Sequence, residues 1–158
     1  MQERWVNKLL DEKYYAGFGT RMIGMFYDLI TLSVAIIVVG TITTRWMFGQ
    51  TNAPDVNNIE LVRQYMWEHE MHLFVINWLV LATVAILIQY VLPTFSRQTV
   101  GMKMLGLYLR DEHAKEISKK QYLKRELMKL YLFPTILFSI GNRKRPLYDE
   151  KSKTYLLK

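Results

Sequence analysis

Two long stretches of the chain are nearly free of charge, and charged residues crowd the rest. The first, Met22 to Thr44, holds a single charge, Asp28, and none from Leu29 onward. As a helix it would rise about 34 Å at 1.5 Å per residue, enough for a hydrocarbon core of roughly 30 Å. Arg45 and Trp46 follow it, residue types that mark a membrane interface. The second stretch, Leu73 to Leu92, has no charge, and Asn77 and Gln89 are its only strongly polar groups. Pro93 is expected to end it.

Between and around these runs the pattern changes. Met1 to Tyr15 is a polar lead, with Trp5, Val6, Leu9 and Leu10 forming either a one-sided surface patch or part of a frayed terminus. It lacks the apolar core of a cleavable signal, so the first apolar run is expected to remain in the protein. Thr51-Asn52-Ala53-Pro54-Asp55 carries turn chemistry, and Ile59 to Glu70 has helical character. Past residue 96, Leu105 to Leu109 reads as a short strand and Arg110 to Lys115 as a charged turn. Ser118 and Gln121 have the spacing of a helix N-cap. The helix that follows places Leu123, Leu127, Leu130 and Tyr131 on one face, with Lys120, Lys124 and Arg125 off it, a basic amphipathic pattern. Leu130 to Ile140 is apolar, but it is too short to span and is interrupted by Pro134. It fits an interfacial or re-entrant segment. Thr154 to Leu157 reads as a last strand, expected to pair with Leu105 to Leu109 because neither is stable alone.

Composition sharpens this picture. Lys and Arg outnumber Asp and Glu, 21 to 14, for a formal charge of +7. A basic balance suits nucleic acid or anionic lipid. The apolar runs decide for lipid, and no nucleic-acid-binding motif is present. With no cysteine, disulfides and Cys-ligated zinc are excluded. Basic residues also set the orientation. There are four in Met1 to Arg21, two in Arg45 to Glu70, eight in Ser96 to Arg125 and six in Arg143 to Lys158. Both ends are therefore expected in the cytoplasm, with the intervening loop outside.

Asp28 is the first candidate for function, because a carboxylate in an apolar helix needs protein, water or a proton around it. It either locks helix packing or binds a proton or cation. Arg21 lies on the same face, but seven residues of helix separate the Cα atoms by about 10.5 Å, too far for a routine direct pair. Gly24 and Thr31 continue that face as a stripe suited to another helix. Arg21 is expected to pair with Asp149, or else to reach lipid phosphate. Glu68-His69-Glu70-Met71-His72 resembles a metal-binding run but lacks the H-E-x-x-H pattern, so it reads as a solvated interface cluster. His113 sits in the charged turn. No nucleophile elbow, phosphate loop or dinucleotide fingerprint occurs.

Tyr15-Ala16-Gly17-Phe18-Gly19-Thr20-Arg21, followed by Asp28 inside an apolar helix, resembles the opening of the RDD family of membrane proteins. That family is named for one arginine and two aspartates, and Arg21 and Asp28 match the first two positions. The run Gln98 to Leu107 resembles the family's glycine-lysine-leucine-glycine segment. Arg125 resembles a basic residue of its next helix, and Tyr148-Asp149 its closing His-Asp pair. Two positions depart from the pattern. Met102 follows Gly101 where lysine is usual, and Tyr148 replaces the histidine, so no mechanism that needs that histidine carries over.

The expected fold is an all-α integral membrane protein, organised as one RDD-like membrane domain over residues 1–158. It comprises a cytoplasmic lead (1–20), a first transmembrane helix (22–44), an outside loop (45–71), a second transmembrane helix (73–92) and a cytoplasmic or interfacial region (96–158). A re-entrant or amphipathic helix and a minor β element belong to that last region. Arg21, Asp28 and Asp149 are expected to form a functional polar network. Lys119, Lys120, Lys124 and Arg125 are expected to meet the anionic membrane surface. The resemblance leaves both transport and accessory roles open, but two helices cannot enclose a pathway, so the chain is expected to be a non-enzymatic multi-pass protein of the cell membrane without cofactor or metal. It would be an accessory or regulatory subunit bound to another membrane protein. The alternative is a cation or proton transporter working as an oligomer of this chain.

Overall fold

The computed structural model describes residues 12–54, 57–140 and 145–158. The patch at Trp5, Val6, Leu9 and Leu10 lies outside these residues, as do Asp55, Arg143 and Lys144.

The first apolar run sits inside a longer helix than expected. Helix α1 spans Phe18–Gln50, 33 residues, so it starts before Met22 and continues past Thr44. The threonines near its far end do not break it. Thr41 donates its hydroxyl to the carbonyl of Ile37, 2.8 Å away, and so remains satisfied within the helix. Residues 45–50, expected in a loop, are therefore helical. Helix α2 (Ile59–His69) begins at Asn58, whose side chain accepts from the N–H groups of Glu60 and Leu61.

The second apolar run forms α3 (Met71–Ile86), which continues through a π turn (Leu87–Val91) into a last α-helical segment (Leu92–Ser96). Pro93 does not end it, contrary to expectation. A proline inside a regular α-helix clashes with the carbonyl four residues earlier. The π turn ahead of Pro93 widens the helix there and lets the ring enter a new first turn. The rod ends at Arg97, in the left-handed region with φ 56°. Over Met71–Ser96, as over α1, the most apolar window is only 6% buried. Both helices are long and apolar enough to cross a membrane.

The remaining chain is short elements. Thr99 caps α4 (Val100–Met104) by accepting from Met102 N–H. Gly106 turns the chain at φ +64°, where a side chain would be strained. Strand β1 (Tyr108–Arg110) pairs antiparallel with β2 (Tyr155–Leu157), Tyr108 opposite Leu157 and Arg110 opposite Tyr155. The expected strand at Leu105–Leu109 is thus shifted, because Leu105 is the C-cap of α4 and Gly106 makes the turn. The lead joins this sheet: Ala16 N–H donates to Leu156 O and Lys158 N–H to Tyr14 O, at 2.8 and 2.9 Å. Ser118 Oγ accepts from Gln121 N–H at the start of α5 (Lys119–Leu132). The Gln121 amide does not return to complete a capping box. It donates instead to the carbonyls of Ser152 and Lys153. A 3₁₀ segment (Phe133–Ser139) follows α5, and a short helix α6 (Leu147–Lys151) precedes β2 in the tail.

The chain forms two compact units, one of residues up to Thr31 together with those from Ile88, the other Leu32–Leu87. The first is cored by Ala16, Met102, Leu107, Leu109, Ile117, Tyr122 and Leu156. The second is cored by Met47, Val62, Met66 and Leu73. Within the second, Thr43 donates to Asn77 Oδ1 at 2.5 Å, so the polar groups of two apolar helices satisfy one another.

Candidate functional site

Helix α5 is built inside out relative to a soluble helix. Tyr122, Arg125 and Glu126 are buried, while Leu123, Leu127, Leu130 and Tyr131 are exposed. The buried residues, with Lys129, also fall at i, i+3, i+4 and i+7, so the charged stripe has the same helical spacing as the apolar one. The charged stripe is the one that packs inward. Arg125 is therefore not a membrane-surface residue as expected: it is 1% exposed, and its partners are internal.

Those partners converge on α6. Asp149 is fully buried, and Arg125 Nε donates to its Oδ1 at 2.7 Å. Arg21 Nη1 lies 2.7 Å from Oδ2 on the other side. Arg125 also meets Glu126 Oε1 at 2.6 Å. Arg21 Nε donates to Ala16 O at 2.8 Å, and its guanidinium hydrogen-bonds the Tyr148 side chain. One carboxylate thus ties the start of α1 to α5 and α6. Burial alone would push the Asp149 carboxyl up, but Arg125 and then Arg21 outweigh it and hold the carboxyl below its ordinary range. Burial likewise works against the charge of Arg125, and Asp149 and Glu126 more than restore it. Burial raises the Tyr148 phenol, helped by the neighbouring Asp149. Its ring lies under the Arg125 guanidinium, 5.4 Å from the centroid.

Asp28 is held elsewhere: its Oδ1 accepts from Gly101 N–H at 2.7 Å. The bond is possible because α1 and α4 touch. A Cβ on Gly101 would land on Gly24 O, far inside contact distance. Gly24 and Asp28 therefore face the five-residue α4, while Arg21 reaches Asp149 on α6. Thr31, its last member, bonds back to Tyr27 O at 2.9 Å. Arg21, Asp28, Arg125 and Tyr148 share the lining of a small void of about 20 Å³. That is room for about one water.

The other candidates lie apart from this cluster. Lys119, Lys120 and Lys124 are exposed on α5, and Lys119 Nζ sits 4.5 Å from the Phe95 ring centroid. Glu70 is committed to the turn before α2, accepting from Thr51 Oγ1 at 2.6 Å and from both Asn52 nitrogens. The Thr51 hydrogen bond, opposed by burial and aided by Asn52, lowers its carboxyl below the usual value. His69 stacks on Tyr65. Arg125 and Asp149 were both visible as positions in the sequence. Their mutual bond was not, because the α5 pattern was read from its leucines. Glu126 and Tyr122 were not singled out.

No curated protein and no solved structure gives a match to this chain. The family model of the RDD family matches residues 15–143. The match takes in Arg21, Asp28, Gly101 and Arg125 and stops before Tyr148 and Asp149; the fold itself brings that last pair onto Arg21. The matched span covers most of the chain, from the lead through both apolar helices to the end of the 3₁₀ segment, and the chain therefore belongs to the RDD family.

Proposed function

We propose that this RDD protein is a non-enzymatic, multi-pass protein of the cell membrane, with both ends cytoplasmic, that serves as an accessory or regulatory subunit of another membrane protein. One observation carries the reading: its buried carboxylate contacts join elements to one another. Asp149 holds α1, α5 and α6 together, and Asp28 holds α4 against α1. Such a cluster makes a rigid cytoplasmic platform, and two apolar helices with open sides supply the surface for a partner. Lys119, Lys120 and Lys124 would rest on anionic headgroups, each gaining roughly 1 kcal/mol. The exposed Leu127, Leu130, Leu137 and Phe138 would dip below them.

The second reading is a cation or proton transporter acting as an oligomer, with Asp28 binding the ion and Arg21 and Asp149 gating it. It draws on the half-buried position of Asp28 beside an open groove. Light scattering in mild detergent and ion flux in proteoliposomes separate the two. A monomer, or a fixed-stoichiometry complex with a different membrane protein, together with no flux, supports the accessory role. A symmetric oligomer whose proton or cation flux vanishes in Asp28→Asn overturns it.

A further inference from the structure

Beside the polar cluster, α1, the π turn of α3 and α5 enclose a groove of about 330 Å³. That lies within the roughly 300–1,000 Å³ usual for ligand pockets. Met25, Phe26 and Leu29 make its wall, and Phe26 and Leu29 are more than half exposed. Three polar side chains from three elements reach it: Asp28, Gln89 and Lys129. Each has capacity left. Asp28 gives Oδ1 to Gly101, and a carboxylate offers about four acceptor sites. Lys129 has one ion pair, to Glu126 at a long 3.5 Å, and its ammonium has three donors. Gln89 makes no hydrogen bond among the described residues, although it is half-buried in an apolar helix, where an unsatisfied amide is costly. It also sits on the π turn, a device that recurs at binding sites.

Charge narrows the ligand. Among the described residues of this cluster, Arg21, Arg125 and Lys129 stand against Asp28, Glu126 and Asp149. Signs are balanced, so the groove does not call for a net anion. It offers a carboxylate, an amide and an ammonium around an apolar wall. On the membrane reading above, the charge-free part of α1 starts at Leu29, which puts Asp28 at the level of the inner headgroups.

We infer that this groove binds one phospholipid whose headgroup carries both a primary ammonium and a phosphate. The lipid ammonium donates to Asp28 and to the Gln89 carbonyl. The phosphate accepts from Lys129, and one acyl chain lies along Met25, Phe26 and Leu29. A choline headgroup has no N–H to donate, and a glycerol headgroup has no cation, so both fit less well.

The inference rests on the membrane reading, and the test separates the two. Full-length protein in mild detergent is titrated with phosphatidylethanolamine, phosphatidylcholine and phosphatidylglycerol, and retained lipid is counted by native mass spectrometry. Phosphatidylethanolamine should be retained at least tenfold more than the others. Gln89→Leu, Lys129→Gln and Met25→Trp should each reduce that retention about tenfold while leaving the unfolding temperature within a few degrees. Asp28→Asn is unsuitable, because it also disturbs the contact with Gly101. Equal retention of the three lipids, or retention unmoved by these variants, overturns the groove assignment alone. Release of the protein from membranes by alkaline carbonate overturns the membrane reading and the lipid site with it.

Discussion

Asp149 is fully buried between two arginines, so its removal should cost more than any surface change. Breaking one side of a buried pair costs about 3–5 kcal/mol, since the other charge is left stranded. Asp149→Asn removes the carboxylate that Arg21 and Arg125 share, though Arg125 keeps Glu126, and should lower stability in mild detergent by about that much, read by thermal unfolding. Tyr148→Phe removes only the acceptor for Arg21 and should cost about 1–3 kcal/mol. The pH dependence follows from the sign of the Asp149 shift. Its folded carboxyl titrates below the ordinary value, so its stabilising effect is complete above about pH 4. The effect fades as pH falls through the lower folded value. An unfolding-temperature profile from pH 7 to pH 3 should fall steeply at its acid end, and Asp149→Asn should flatten that limb.

At the scale of elements, the contact of α1 with α4 depends on two glycines. Gly101→Ala forces a Cβ onto the backbone of Gly24 and should destabilise by at least the 1–3 kcal/mol usual for overpacking. Gly19→Ala, also in α1, meets nothing within 4 Å. It should be neutral or stabilise by up to about 1 kcal/mol. Equal behaviour of the two variants would remove the close approach. The two apolar runs, the Ser118 cap and the strand pair were legible because each is local: hydropathy, one side chain over a helix end, and two short runs needing partners. Pro93 was misread because a proline signals a break only in a regular helix, and the π turn that absorbs it leaves no sequence mark. Arg125 was misread for a different reason. Helix α5 buries Arg125 and Glu126 and exposes its leucines, so the usual sense of an amphipathic pattern reverses. The α6 helix escaped notice because five residues carry no period.

For the whole molecule, the proposed topology fixes which exposed residues an impermeant reagent can reach. Single cysteines at Lys120 and Lys151, both exposed, should be protected from an impermeant reagent added outside intact cells, and one at Glu68 should be labelled. Ser152, though polar, is a poor reporter because it is buried. Outside labelling at Lys120 or Lys151 would reverse the proposed topology. The network of Arg21 with Asp149 was anticipated from the need of an interfacial arginine for a carboxylate. Asp28 was expected in the same network and instead shares only its void, because its own helix holds it against α4.

The sheet and the ion pair on Asp149 carry a consequence for biosynthesis. Arg21 leaves the ribosome early, but its carboxylate and the strand that receives Ala16 belong to residues translated after both apolar helices. Until then Arg21 lacks its Asp149 partner, and β1 has no strand to pair with. Completion of β2 and α6 is thus the step that distinguishes a finished molecule from a stalled one. A ribosome arrested before residue 149 would release a chain in which Arg21 and Arg125 lack their shared carboxylate and β1 has an open strand edge. Those are the features by which membrane quality-control proteases select their clients.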